Sequence, residues 1–81
     1  MKAAAVRQAA TEYTVAKLSL AIEALIEREE EILDIDGDDM EERLTHLLLA
    51  RRVRERVELG QDMKEAFRAE MGKVRATLKN D

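Results

Sequence analysis

The chain has 81 residues, contains no Cys, Trp or Pro, and carries a formal net charge of −4 at pH 7. A chain of this length forms one domain, here residues 1–81, and the absence of Cys excludes disulfides and thiolate metal sites. The acidic balance also excludes the generally basic surface by which many proteins attract nucleic acids or anionic membranes.

No apolar run approaches the roughly 18 residues that a membrane-spanning helix needs. The Ala-rich start, MKAAAVRQAATEY, is interrupted by Arg7 and Gln8, so it lacks the apolar segment of a secretory signal. We therefore expect a cytoplasmic protein that has no contact with a membrane.

The first part of the chain predicts one long helix from about Ala3 to Leu33, because no helix breaker interrupts it. Its clearest helical period begins at Tyr13, where apolar residues recur at three- and four-residue steps. We expect this stripe to be the surface on which the rest of the chain packs. Its members are Val15, Leu18, Ile22, Leu25, Ile26 and Leu33.

A second set of apolar residues lies off that stripe and includes Val6, Tyr13 and Leu20. Two shorter helices would cover the first stripe and leave this second surface in water. Exposed apolar surface usually marks an interface, and a twofold dimer is the simplest closed assembly that covers it. We therefore predict a homodimer that associates through Val6, Tyr13 and Leu20. The alternative is that the Ala residues in this set are only good helix formers on an exposed surface.

The remaining segments predict two shorter helices. Asp36 and Gly37 form a turn signal, and Asp38 or Asp39 can cap a second helix that runs from about Met40 to Val57. Leu59 and Gly60 then end that helix. The fold class expected is all-α, with a long N-terminal helix and two shorter helices in a three-helix arrangement that dimerisation completes.

The third helix is expected from about Met63 to Leu78, with Asp62 as its N-terminal cap. Its apolar residues follow one stripe: Met63, Phe67, Met71, Val74 and Leu78. Gly72 lies off this stripe, where it marks either a close helix crossing or a tolerated surface position.

An arginine cluster in the second helix is the main candidate for nucleic-acid contact. Its members are Arg51, Arg52, Arg54 and Arg56. These side chains could neutralise phosphates in a small dimeric DNA-binding transcriptional regulator. Basic residues near a helix C-terminus are also favoured by the helix dipole, and the acidic segment before this helix offers partners within the chain. We expect the structural role rather than DNA binding.

No residue pattern supports a reaction, a cofactor or a metal. Asp34, Asp36 and Asp38 alternate like the first ligands of a calcium-binding loop, but the positions that require Gly and Glu hold Asp39 and Thr45. The chain has one His and one Ser, which is too little material for a nucleophile–base pair or a His-rich metal site. We therefore expect no enzymatic activity, no cofactor and no bound metal.

The function expected by elimination is that of a small helical interaction module. It would associate with itself and act by binding a partner protein, whose identity the sequence does not specify. DNA binding through the arginine cluster is the alternative.

Overall fold

The computed structural model describes residues 1–79, with side chains described as far as residue 76. In that part of the chain the regular secondary structure consists of four helices: α1 (Ala3–Glu12), α2 (Val15–Arg28), α3 (Met40–Glu58) and α4 (Met63–Lys79). The predicted all-α class is confirmed, whereas the predicted three-helix arrangement with one long N-terminal helix is wrong. Leu78 of the predicted third stripe has its side chain outside the described part.

The long first helix is broken at Tyr13 and Thr14. Thr14 is extended, with φ −80° and ψ 164°, and its hydroxyl accepts a hydrogen bond from the Lys17 N–H at 3.2 Å. Thr is a good N-terminal cap because its short side chain satisfies one of the free N–H groups of a first helical turn. Thr14 was therefore a local signal in the sequence for the start of α2. The unbroken run of helix-forming residues around it predicted a single helix instead.

Helix α3 holds both sides of this break. The Glu58 carboxylate accepts a hydrogen bond from the Val15 N–H at 2.9 Å, at the start of α2. Arg54 donates to the Ala10 carbonyl at 3.2 Å, near the end of α1, and to Glu58 at 3.0 Å. The hydrogen bond from Val15, followed by that from Arg54, holds the pKa of Glu58 below its usual value. The break is thus stabilised by residues more than 40 positions away in the chain.

Helix α2 also ends earlier than predicted. Glu29 adopts a left-handed conformation with φ 52°, and its N–H donates to the Leu25 carbonyl at 3.1 Å, as is common at helix ends. Ile26, predicted on the buried stripe, is instead 61% exposed. The connection between α2 and α3 packs against the core, because the Ile35 side chain is buried in the core and Leu33 lies against the same core.

The central element is α3, not the first helix. It packs against each of the other three helices, and α1 also contacts α4. Helix α2 begins beside Glu58 at the end of α3 and leads back toward its start, so these two helices run antiparallel. The core combines side chains from all four helices and the α2–α3 connection: Val6, Ala9, Ala10, Leu18, Ala21, Ile22, Leu25, Ile35, Leu47, Leu49, Ala50, Val53, Ala66 and Met71.

The predicted bounds of α3 and the predicted start of α4 are confirmed. Asp39 accepts a hydrogen bond from the Glu42 N–H at 2.8 Å and caps α3. Asp62 accepts from the Glu65 N–H at 3.4 Å at the start of α4. Gly60 has φ 107°, a conformation that residues with a Cβ rarely adopt, and it follows the end of α3.

Gly72→Ala is expected to raise the free energy of unfolding by about 0.5–1 kcal/mol. Gly72 lies within α4, and a Cβ added there would meet no atom within 4 Å. Ala removes backbone freedom from the unfolded chain without a clash in the folded one. Urea unfolding monitored by circular dichroism measures the change. Gly60→Ala is the control and should destabilise, because Gly60 has a positive φ; equal effects of the two substitutions would contradict the assignment.

Candidate functional site

The three residues predicted for self-association do not share one exposed surface. Val6 is fully buried in the core of its own chain, because α1 packs between α3 and α4. Its assignment to an exposed surface was therefore wrong. Tyr13 is half-buried and packs against the core, whereas Leu20 is 60% exposed on α2. Of the predicted set, Leu20 remains fully available to another molecule.

The arginine cluster is divided by the packing of α3. Arg54 bonds Ala10 and Glu58, as described above, and Arg56 donates to the Glu70 carboxylate at 2.6 Å. Arg51 is half-buried and Arg52 is exposed. Two of the four arginines are thus bonded within the chain, to partners other than the acidic segment before α3.

Arg56 and Glu70 join α3 to α4. Glu70 is buried, and it also receives Lys73 at 3.5 Å. Burial by itself would raise the pKa of Glu70, but the hydrogen bond from Arg56 and the charges of Lys73 and Arg56 outweigh burial and hold the pKa below its usual value. The carboxylate is thus ionised and structural at neutral pH. The sequence gave no sign of this pairing, since its members lie in different helices.

His46 ties the start of the chain and the α2–α3 connection to α3. It is fully buried; the Lys2 backbone N–H donates to Nε2 at 2.9 Å, and Nδ1 lies 2.6 Å from the Asp36 carbonyl. Because Nε2 accepts, the proton lies on Nδ1 and is donated to Asp36. Both ring nitrogens of His46 are therefore used in hydrogen bonds within the chain.

Arg43 closes the acidic connection. It binds the Glu31 carboxylate through two nitrogens, at 2.5 and 2.9 Å, and donates to the Gly37 carbonyl at 2.8 Å. The hydrogen bond from Arg43 holds the pKa of Glu31 below its usual value. A Cβ at position 37 would lie 2.5 Å from Cγ of Arg43, so Gly37 makes this contact possible. Across residues 1–79 no group of three side chains is placed to hold a metal ion.

An open apolar groove lies where α3, α4 and the start of the chain meet. It consists of two adjoining depressions of about 360 and 230 Å³, both bordered by Met1 and Val74. The larger is otherwise lined by Thr45, Leu48, Leu49 and Arg52, and the smaller by Ala3, Phe67, Arg68, Met71 and Arg75. We call this surface the α3–α4 groove.

Exposed arginines surround the groove. Arg52, Arg68 and Arg75, the rim arginines, are exposed and form no ion pair with the described residues. Arg7 lies nearby, with its guanidinium 5.8 Å from the centre of the Phe67 ring. The sequence placed Phe67 and Val74 on one apolar stripe of the third helix, and the structure leaves both side chains half-buried. The seven-residue spacing of Arg68 and Arg75 was the available signal, since it places both on one side of α4.

Residues 1–79 match a protein family described as Family of unknown function (DUF6952). The chain belongs to this family. No curated protein and no solved structure matches the chain. In residues 1–79 of this DUF6952 chain, none of the helices has both the length and the apolar character that crossing a membrane requires. The description of the DUF6952 family names no activity.

Proposed function

We propose that this protein is a non-catalytic helical module that associates with itself and acts by binding a partner protein. The observation that carries the proposal is the α3–α4 groove, which has an apolar floor and an arginine rim on a chain of net charge −4. Met and Arg are enriched in protein interfaces, and open apolar patches edged by polar groups are typical of binding sites. Met1, Met71 and the rim arginines supply this combination.

The arrangement of the buried polar groups supports a role without catalysis. His46 and Glu70 are the buried polar side chains of the described core, and each is bonded to groups of its own chain. A general acid or base needs to reach a substrate in a cleft. Neither residue lines the α3–α4 groove.

Position-specific photo-cross-linking in the native host tests the proposal. A photoreactive residue at Arg52 lies on the groove rim, whereas one at the exposed Lys64 lies on α4 but lines neither depression. We expect defined protein adducts from position 52 and none of these from position 64. The same adducts from both positions, or none from position 52, would contradict protein binding at the groove.

Self-association is tested at Leu20. Because this side chain is 60% exposed, Leu20→Glu should leave the fold of the single chain intact. Burial of a Leu at an interface contributes about 1.5–3 kcal/mol, so the substitution should weaken association by at least about tenfold. Sedimentation equilibrium over a wide concentration range measures the effect, with Lys64→Glu as the control. A wild-type chain that stays monomeric at every concentration would contradict self-association.

Arg54→Glu does not serve as a control for this test. Arg54 joins α1 to the end of α3 by bonding Ala10 and Glu58, so its replacement should lower stability.

DNA binding through Arg51, Arg52, Arg54 and Arg56 remains the alternative function. It has less support, because Arg54 and Arg56 are bonded within the chain. Binding of mixed-sequence DNA that falls steeply with salt would favour it.

A further inference from the structure

We infer that the α3–α4 groove of one copy binds the outer face of α2 of a second copy, with Leu20 as the apolar anchor and Glu23 and Glu27 facing the rim arginines. The inference rests on the proposed self-association and identifies the two surfaces that meet.

The outer face of α2 consists of Ala16, Leu20, Glu23 and Glu27. These residues follow each other at steps of three and four, so they lie along one side of the helix. In the described part of the chain α2 packs against α3 but not against α1 or α4, and all four residues are exposed. A large apolar side chain, Leu20, therefore stands in water between small and acidic neighbours.

The charges of this face are complementary to those of the groove. Among the side chains that the structure describes, up to residue 76, neither Glu23 nor Glu27 forms an ion pair, and the same holds for the rim arginines. Some other acids pair with arginines of their own chain, as Glu31 does with Arg43 and Glu70 with Arg56. On the outer face of α2 two acids without an ion pair thus lie beside an exposed apolar residue, and three arginines without one line an apolar groove.

The distances along the helices are compatible with this contact. Arg68 and Arg75 are seven residues apart on α4, which separates their Cα atoms by about 10.5 Å along the axis. Glu23 and Glu27 are four residues apart on α2, or about 6 Å. Arg side chains are long enough to reach the acids from both ends, and the pairs would orient α2 over the apolar floor.

A foreign acidic helix would offer similar chemistry to the groove. The second copy is the occupant that we infer, because the chain itself presents a helix face with the required apolar and acidic groups. Electrostatic complementarity of this kind fixes the partner and the register of an interface. The experiment below distinguishes binding of a second copy from binding of a helix of another protein.

Reciprocal charge exchange tests the inference. The groove variant carries Arg68→Glu and Arg75→Glu, the helix variant carries Glu23→Arg and Glu27→Arg, and a third chain carries all four substitutions. All four positions are exposed, so the variants should fold, which circular dichroism verifies. Sedimentation equilibrium of each variant, and of an equimolar mixture of the first two, measures association.

We expect each double variant alone to associate at least about tenfold more weakly than the wild type, because like charges then meet at the contact. The mixture should recover association, since the acidic groove of one variant meets the basic helix of the other. The chain with all four substitutions should recover it too, and it keeps the net charge of the wild type. Asp34→Lys, in the α2–α3 connection and outside both surfaces, should have no effect.

Wild-type association by both double variants, or failure of both the mixture and the four-substitution chain to recover, would overturn the inference. Absence of self-association in the wild type would also overturn it. In that case adducts between position 52 and a different protein would still support protein binding at the groove, so the two proposals fail separately.

Discussion

His46→Ala is expected to lower the free energy of unfolding by about 3 kcal/mol. The side chain is fully buried, so its removal leaves a cavity, and it also leaves the Lys2 N–H and the Asp36 carbonyl without their partner. A domain of this size has a total stability of about 4–12 kcal/mol, so this loss is a large fraction of it. The melting temperature should fall by more than about 10 °C.

Urea unfolding at pH 7 measures the loss, and the neighbouring Thr45→Ala serves as the control. Thr45 is exposed, and its hydroxyl bonds only the Glu41 carbonyl one turn earlier, so its loss should cost less than about 0.5 kcal/mol. If His46→Ala cost no more than Thr45→Ala, the link between α3, Lys2 and the α2–α3 connection would not be structural. Nitrogen chemical shifts of the imidazole should independently place the proton on Nδ1.

Arg56→Met is expected to lower the free energy of unfolding by about 2 kcal/mol at pH 7. The substitution leaves the buried Glu70 carboxylate without the hydrogen bond at 2.6 Å that Arg56 supplies. Removing one partner of a buried pair is costly because the other charge stays away from water. Because Arg56 is itself partly exposed, we place the loss below the range for a fully buried pair.

The pH dependence distinguishes this cause from a general loss of packing. In the wild type the pKa of Glu70 lies below its ordinary value of 4.5, so its stabilising contribution is present above that value and is lost as the pH falls through the lower folded pKa. In Arg56→Met the pKa of Glu70 should rise relative to the wild type, because only Lys73 then opposes the effect of burial. Protonation then removes the buried charge that Arg56 no longer pairs, so the stability difference between variant and wild type should shrink as the pH falls toward 4.

Two further variants serve as controls. Arg52→Met removes an exposed arginine from the same helix and should change stability by less than about 0.5 kcal/mol. Adding Glu70→Met to Arg56→Met should recover part of the loss, since two apolar residues replace the pair. Parallel pH profiles for wild type and Arg56→Met, with equal losses for Arg52→Met and Arg56→Met, would contradict the assigned role.

Both ends of α3 and the start of α4 could be predicted because their signals are local. Asp39 caps the helix that begins at the next residue, and Gly60 adopts the left-handed conformation just after the same helix ends. A cap or a glycine stop involves groups within one turn of each other. The fold of the rest of the chain has little influence on such a signal, so the sequence alone predicts these helix ends.

Which of the two predicted apolar surfaces would be buried could not be predicted from local signals. The sequence predicted the same exposed surface for Val6 and Leu20, because both lie off the main apolar stripe of the single helix expected there. The break at Thr14 lets α1 and α2 lie along different parts of α3, which buries Val6 and leaves Leu20 exposed. Periodicity shows that a helix has an apolar side but does not identify the element that will cover it.

The sequence by itself determined that this protein is helical, where α3 begins and ends, where α4 begins, and that its function is not encoded in a recognisable reactive motif. These properties depend on neighbouring residues and on composition. Only the tertiary structure decided that α3 is central, that Arg54 and Arg56 are bonded internally, and that the rim arginines surround an apolar groove. Each of these contacts joins residues far apart in the chain, and the packing of whole helices selects which of the possible partners meet.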